Sequence, residues 1–116
     1  MPTIPLMKGT LDLLVLKALS LSPMHGVEIT AWLEQRAGGE LSFDDSGIYQ
    51  SLYRMEERGL IEAEWGTSEH NRRARYYRIS RRGRAHLEAE TRQLVRYGEL
   101  VTGILTAAAA GARGGR

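Results

Sequence analysis

The stretch LIEAEWGTSEHNRRARYYRIS, from Leu60 to Ser80, contains two segments of strand character around a polar turn. In the first segment, apolar and acidic residues alternate up to Gly66, which is typical of a strand with one buried face. In the second segment, which begins at Arg72, two tyrosines and an isoleucine favour a strand. The residues between the segments, TSEHN, are turn-like. The stretch therefore predicts a β-hairpin whose turn is flanked by arginines.

Three helices are predicted before this hairpin. The first has Thr10 as a suitable N-cap, carries apolar residues at helical spacing and ends before Pro23. The second lies within residues 26–37 and stops at a Gly-Gly pair. The third is capped within residues 44–46, where acidic side chains suit the positive end of a helix dipole, and it ends at Gly59.

A long helix is predicted after the hairpin, with Ser80 as its cap. With Leu87 placed at heptad position a, the a and d positions form a short seam with one polar fault. They hold Leu87, Glu90, Leu94, Tyr97, Val101 and Ile104. Such a seam is long enough for a dimer contact and too short for a free-standing coiled coil. The alternative is that the stripe packs on its own domain.

This order of elements is typical of a mainly α chain with a small β-hairpin (α+β), in the winged helix-turn-helix arrangement. We expect a winged helix-turn-helix DNA-binding domain over residues 1–80, a dimerisation helix over residues 81–106 and a disordered tail over residues 107–116. In this arrangement the third helix enters the major groove of duplex DNA, and the hairpin forms the wing.

Length and composition fit this interpretation. The chain has 116 residues, enough for one domain with a modest core, and it has no cysteine, which excludes disulfides. The N-terminal residues lack the pattern of a secretory signal, and no apolar stretch approaches the length of a membrane span. We expect a cytoplasmic protein that does not associate with membranes.

Charge is unevenly distributed along the chain. Between residues 26 and 66, three arginines stand against nine carboxylates, which gives −6. Between residues 67 and 84, seven arginines stand against one glutamate, which gives +6. A dense cationic segment indicates a polyanionic partner, although a solvated surface is the alternative.

The polar face of the third helix supplies predicted DNA contacts, which are Ser46, Gly47, Tyr49, Gln50, Ser51 and Arg54. Gln50 can pair bidentately with adenine, and Arg54 can pair with guanine or with a phosphate. Gly47 and Ser51 are small enough for a DNA backbone to approach closely. Tyr49 offers a hydroxyl to a phosphate, whereas Tyr53 is expected to pack against the wing.

The arginines around the hairpin turn supply the other predicted DNA contacts, which are Arg72, Arg73 and Arg75. On a wing they would reach phosphates or the adjacent minor groove. Side chains alternate between the two faces of a strand, so Arg73 and Arg75 share one face and Arg72 lies on the other. We therefore do not expect all three to touch DNA.

Catalytic and metal-binding chemistry is not predicted. His25, His70 and His86 are scattered along the chain without metal-ligand spacing, and none lies beside a nucleophile and an orienting acid in a known pattern. We predict no enzyme, no metal and no cofactor.

Several motifs, taken together and in order, resemble the PadR family of bacterial transcription regulators over residues 6–105. They are KGTLDLLVL (8–16), PMHG (23–26), GIYQSL (47–52), EERGLI (56–61) and RARYYRIS (73–80), followed by Gly83. The chain departs from the family pattern at Val27, where an aromatic residue is common, and at Gln50, where proline is common. The second departure leaves a polar side chain free for base contact.

The resemblance implies a homodimer that binds a palindromic operator in double-stranded DNA, usually as a repressor. With one C-terminal helix, the chain is similar to the short PadR subgroup, some members of which bind flat, aromatic or cationic drugs at the dimer interface. A small planar or aromatic effector is therefore an alternative that stays open. The tryptophan that helps to hold such drugs is missing, since none follows Trp65, and Tyr97 is the candidate to replace it.

Two other functions remain as alternatives to an operator-binding regulator. In one, the winged helix is a protein-interaction module whose working surface is the acidic segment, residues 26–66. In the other, the chain is a ligand-sensing dimer with a pocket at the dimer interface. Gel shifts across promoter fragments distinguish the first alternative, and tryptophan fluorescence titrated with planar compounds distinguishes the second.

Overall fold

The structure is a computed structural model and describes residues 3–109. Its elements are α1 (Thr10–Leu21), β1 (Met24–His25), α2 (Gly26–Ala37), α3 (Asp45–Glu57), β2 (Ile61–Thr67), β3 (Arg73–Ile79) and α4 (Arg81–Leu105). This order confirms the predicted three helices, hairpin and long helix. Of the tail predicted to be disordered, residues 110–116 lie outside the described residues.

The starts of α1 and α4 show how local residues fix the elements. Thr10 was expected to cap α1, but it is the first helical residue, and the cap is Gly9 in the left-handed region (φ 87°). Ser80 caps α4 as predicted, with its hydroxyl accepting a hydrogen bond from the backbone N–H of Gly83 at 3.0 Å. Any side chain at Gly83 would overlap the carbonyl oxygen of Leu60. The first turn of α4 therefore packs directly on the base of the hairpin.

The sheet has three antiparallel strands in the order β1-β3-β2. The hairpin register runs from the pair Ile61 and Ile79 to the pair Thr67 and Arg73. The third strand, β1, was not predicted. It pairs with β3 immediately before α2 begins, and so it attaches the base of the hairpin to the start of that helix.

The core lies between the three N-terminal helices and the base of the sheet. Its buried apolar side chains are Val15, Leu16, Ala18, Leu19, Ile29, Leu33, Ile48, Leu52, Met55, Leu60, Ile61, Tyr77 and Ile79. Each element up to β3 except β1 contributes at least one of them, so burial of this set fixes the rotation of α3 about its axis.

Helix α4 leaves the core after its first turns. Leu87 is half-buried and packs against the core. At this position the predicted seam therefore packs on its own domain, which was the alternative to a dimer contact. The exposed seam therefore begins later than predicted, at Leu94. The large apolar side chains exposed beyond that point are Leu94, Val95, Tyr97, Leu100, Ile104 and Leu105. Within residues 3–109, no helix has the length and apolar character needed to cross a bilayer.

Candidate nucleic-acid interface

Helix α3 presents one polar face to solvent. Its buried stripe is Ile48, Ser51, Leu52 and Met55. Because a helix turns by about 100° per residue, Ser46, Gln50 and Tyr53 lie on the opposite side, and all three are exposed. We call these three residues the exposed face of α3. Their side chains offer hydroxyl and amide groups that can hydrogen bond to base edges in a major groove.

The start of α3 is held by Asp44. Its Oδ1 accepts hydrogen bonds from the backbone N–H of Gly47 at 2.6 Å and from the hydroxyl of Ser46 at 3.0 Å. These two bonds lower the pKa of Asp44 below its ordinary value of 3.8. Gly47 is close to its own chain, since a Cβ there would lie 3.2 Å from Asp44 Oδ1 and 3.6 Å from Leu11. Its small size therefore serves the packing of α3 on α1 as well as any approach of DNA.

Two side chains of α3 bond to one carboxylate of α1. Ser51 is fully buried, and its hydroxyl donates to Asp12 Oδ1 at 2.5 Å. The prediction that Ser51 contacts DNA is wrong, because no part of it reaches the surface. Arg54 donates to the same oxygen from Nη2 at 2.8 Å, and so it lies at the flank of α3 beside α1.

Tyr53 lies where the sequence interpretation did not place it. Its side chain was expected to pack against the wing, but it is 67% exposed. The signal was present in the sequence, since Tyr53 falls opposite the stripe formed by Ile48, Leu52 and Met55 when these positions are drawn on a helical wheel. It is therefore a further candidate for DNA contact.

A cleft of about 920 Å³ lies between Tyr49 of α3, the start of α2 and the hairpin. Tyr77 is buried at the base of the sheet on this side, and burial raises the pKa of its phenol above 10.0, against a smaller lowering by Arg75. The lining residues described by the structure include no carboxylate. They include His25, Tyr49, Trp65, Arg72, Arg73 and Arg75.

The hairpin arginines differ in their partners. Arg73 stacks on the ring of Trp65, with its Cζ 4.3 Å from the ring centroid. Arg75 instead forms an ion pair with Glu56 of α3 at 2.9 Å. Both line the cleft, as the alternation of a strand predicts. Arg72 was expected on the other face, and that prediction is wrong, because Arg72 precedes β3, does not follow the alternation of the strand and lines the same cleft. The structure thus brings all three predicted hairpin arginines to one cleft.

The other face of the sheet is electrostatically different. There Arg78 pairs with Glu62 at 3.1 Å and with Glu64 at 3.5 Å. Among the described residues, the hairpin arginines without a carboxylate partner are therefore Arg72 and Arg73, on the side that faces α3. No group of three or more metal-ligating His, Asp or Glu side chains occurs in the part of the chain that the structure describes.

The family model described as the transcriptional regulator PadR-like family matches residues 15–89. The chain belongs to the PadR family. Its members are transcriptional regulators that bind DNA, so this PadR chain is a DNA-binding regulator and not an enzyme.

Solved structures of PadR proteins have the same fold. A PadR family transcriptional regulator from Eggerthella lenta is 25% identical, with a TM-score of 0.76 over 87% of this chain and 86% of that one. A PadR-like transcriptional regulator from Bacillus cereus is 26% identical, with a TM-score of 0.73 over 87% of this chain and 96% of that one. An uncharacterized protein from Lysinibacillus sphaericus is 24% identical over 96 residues, which are 83% of this chain and 88% of that protein.

Proposed function

We propose that this PadR chain is a repressor that binds a palindromic operator as a homodimer. The observation that carries the proposal is that α3 has an exposed polar face and also contributes Tyr49 to a cleft lined by three arginines. A helix with a polar face enters the major groove, while cationic side chains on either side of it neutralise the phosphates.

The contacts divide into two classes under this proposal. Gln50 and Tyr53 lie at the centre of the exposed face of α3 and read base edges, together with Ser46 at the start of the helix. Arg72 and Arg73, which have no carboxylate partner among the described residues, and Tyr49, which lines the cleft, contact phosphates and set the register of the protein on the duplex. Base contacts therefore come from α3, and salt-dependent affinity comes from the hairpin.

The dimer proposal rests on α4. We infer that residues 1–80 form the DNA-binding unit and residues 81–106 the dimerisation helix, with Leu94, Tyr97, Val101 and Ile104 on the seam. Leu94, Tyr97 and Ile104 are exposed and Val101 is half-buried. A cluster of exposed large apolar side chains is unfavourable in water and is typical of a surface that binds another protein. A second copy would cover them, and two-fold symmetry would place the two α3 helices about 34 Å apart, one turn of DNA.

The direct experiment selects bound fragments from random duplex DNA with purified protein and measures their affinity by fluorescence anisotropy. We expect an inverted repeat whose half-sites are centred about 10 base pairs apart. Gln50→Ala should weaken binding to the selected site more than binding to random DNA. Failure to enrich any sequence at moderate salt would leave the protein-interaction module as the better proposal. Repression is tested by placing the selected site in a reporter promoter.

A groove between α1 and α4 supports a second candidate function, which is sensing of a small planar or aromatic effector. The groove has a volume of about 490 Å³ and is lined by Leu94 and Tyr97 of the seam, among others. A ligand bound there would lie at the dimer contact and could change the spacing of the α3 helices. Planar compounds are titrated into the protein–DNA complex, and the absence of any DNA release or fluorescence change would remove this candidate.

A further inference from the structure

One carboxylate joins the first turn of α1 to the middle of α3. Asp12 Oδ1 accepts both the hydroxyl of Ser51 and Nη2 of Arg54, from residues one helical turn apart on α3. The Asp12 side chain is 19% exposed and that of Arg54 is 53% exposed. The contact is therefore buried at the serine and open to solvent at the arginine.

The two bonds have different physical consequences. Ser51 is buried, so its hydroxyl needs a partner inside the protein, and Asp12 supplies it. This bond fixes the rotation of α3 relative to α1. The bond to Arg54 uses one of the five N–H donors of the guanidinium and places a negative charge beside it. Arg54 is thereby held in one geometry, and much of its attraction for a distant phosphate is offset.

We propose that Asp12 is a positioning residue for DNA recognition, which favours specific over non-specific binding by holding Arg54 at the α1 flank of α3. The inference rests on the proposed role of α3 in reading DNA. With Asp12 in place, Arg54 reaches DNA only where the groove brings a base edge or phosphate to that one position. Without the carboxylate, Arg54 is free to contact phosphates on any sequence.

The test uses Asp12→Asn, which keeps an oxygen acceptor for Ser51 and removes the charge beside Arg54. We expect severalfold tighter binding to random DNA, a salt slope that is steeper by up to about 0.9 for each released arginine, and a lower ratio of specific to random affinity. The double variant Asp12→Asn with Arg54→Gln should return the slope to the native value. A gain that persists in the double variant would overturn the proposal, because the effect would then not run through Arg54.

The matched control is Glu62→Gln, which removes a carboxylate from an arginine pair on the face of the sheet away from the cleft. It makes the same change in net charge, and we expect little change in the salt slope. If Glu62→Gln steepens the slope as much as Asp12→Asn does, general charge is responsible and the proposal fails.

A comparison of two further variants tests the proposal even if Asp12→Asn does not fold. In the native chain, Arg54→Gln should leave the salt slope on random DNA nearly unchanged, whereas Arg73→Gln should reduce it by about 0.9 per protomer. Equal reductions for the two variants would contradict the positioning role while leaving DNA binding by the protein intact. Absence of DNA binding by the native chain would instead contradict the proposed function itself.

Discussion

The hydroxyl of Tyr49 packs against the α-carbon of Gly26, so closely that a Cβ there would lie 2.5 Å from the hydroxyl oxygen. Gly26 is buried at the start of α2, and Tyr49 is 47% exposed at the rim of the cleft. The absence of a side chain at residue 26 therefore leaves the space that the end of the tyrosine side chain occupies.

We expect Gly26→Ala to fold and to bind DNA severalfold more weakly. The added methyl overlaps the end of the Tyr49 side chain, which moves more easily than backbone and so has to leave its position in the lining of the cleft. The cost in unfolding free energy should be about 1–3 kcal/mol, as for other overpacking changes. Anisotropy and urea unfolding measure the two effects. In a Tyr49→Ala background Gly26→Ala should cost much less, and equal costs in both backgrounds would contradict the contact.

Two glycines of α4 should respond to alanine in opposite directions. Gly83→Ala should destabilise the protein by about 3 kcal/mol, because its Cβ would overlap the backbone oxygen of Leu60, which has little freedom to move. Gly98→Ala in the same helix has no described atom within 4 Å of its Cβ and should stabilise the protein by about 1 kcal/mol, through helix propensity. Urea unfolding measures both. Similar changes for the two variants would mean that α4 does not pack on the hairpin as described.

Arginines on the two faces of the sheet should contribute unequally to DNA affinity. Arg73 lies in the cleft on Trp65, whereas Arg78 lies on the other face between two glutamates. We expect Arg73→Gln to lower the salt slope of binding by about 0.9 per protomer and to weaken specific and random complexes alike. Arg78→Gln is the control with the same charge change, and its slope should remain native. If Arg78→Gln lowered the salt slope and Arg73→Gln did not, the DNA would lie on the face of the sheet away from the cleft, which contradicts the proposal.

The exposed seam of α4 predicts a dimer that one charge disrupts. Leu94→Glu places a carboxylate in an apolar contact and should weaken association about a hundredfold, or about 3 kcal/mol. Thr102→Glu introduces the same charge on the same helix outside the seam and should leave the dimer intact. Sedimentation over a range of concentrations distinguishes them. A native chain that sediments as a monomer throughout would refute the seam directly.

The cap of α3 should make stability depend on pH at the acid end. The pKa of Asp44 is lowered by hydrogen bonds from Gly47 and Ser46, so the folded state favours the ionised form. The stabilisation is fully present above the ordinary pKa of 3.8 and is lost as pH falls through the lowered folded value. Asp44→Asn still accepts a hydrogen bond but does not titrate. Urea midpoints should therefore fall more steeply in the native chain than in this variant below about pH 4.

The order of elements was predictable because strong local patterns determine it. Alternation over Leu60 to Gly66 identified β2, the cap of α3 was placed within residues 44–46, and Ser80 was recognised as the cap of α4 because serine favours that position. The two-residue strand β1 could not be predicted, because its pairing with β3 depends on contacts distant in sequence and two residues carry no periodicity.

The residues of the candidate interface were predicted only in part, because the type of a residue does not determine which side of a helix it occupies. Ser51 looked suited to DNA by its small size, yet it lies on the buried stripe, and its partner Asp12 is 39 positions away. Tyr53 looked suited to packing by its ring, yet it lies on the exposed side. A helical wheel phased on Ile48 and Leu52 would have corrected both, whereas the bond to Asp12 requires the tertiary structure.

Met24 of β1 pairs with Tyr77 of β3, so one edge of β3 is hydrogen bonded to a strand that precedes α2. The sheet can therefore form completely only when segments that are distant in sequence have come together. The wing is consequently not an autonomous folding unit, and forming it requires closure of a long loop that brings distant segments together. Amide hydrogens in the paired part of β3 should exchange with solvent only as slowly as the whole domain opens, while those near the turn exchange by local fraying.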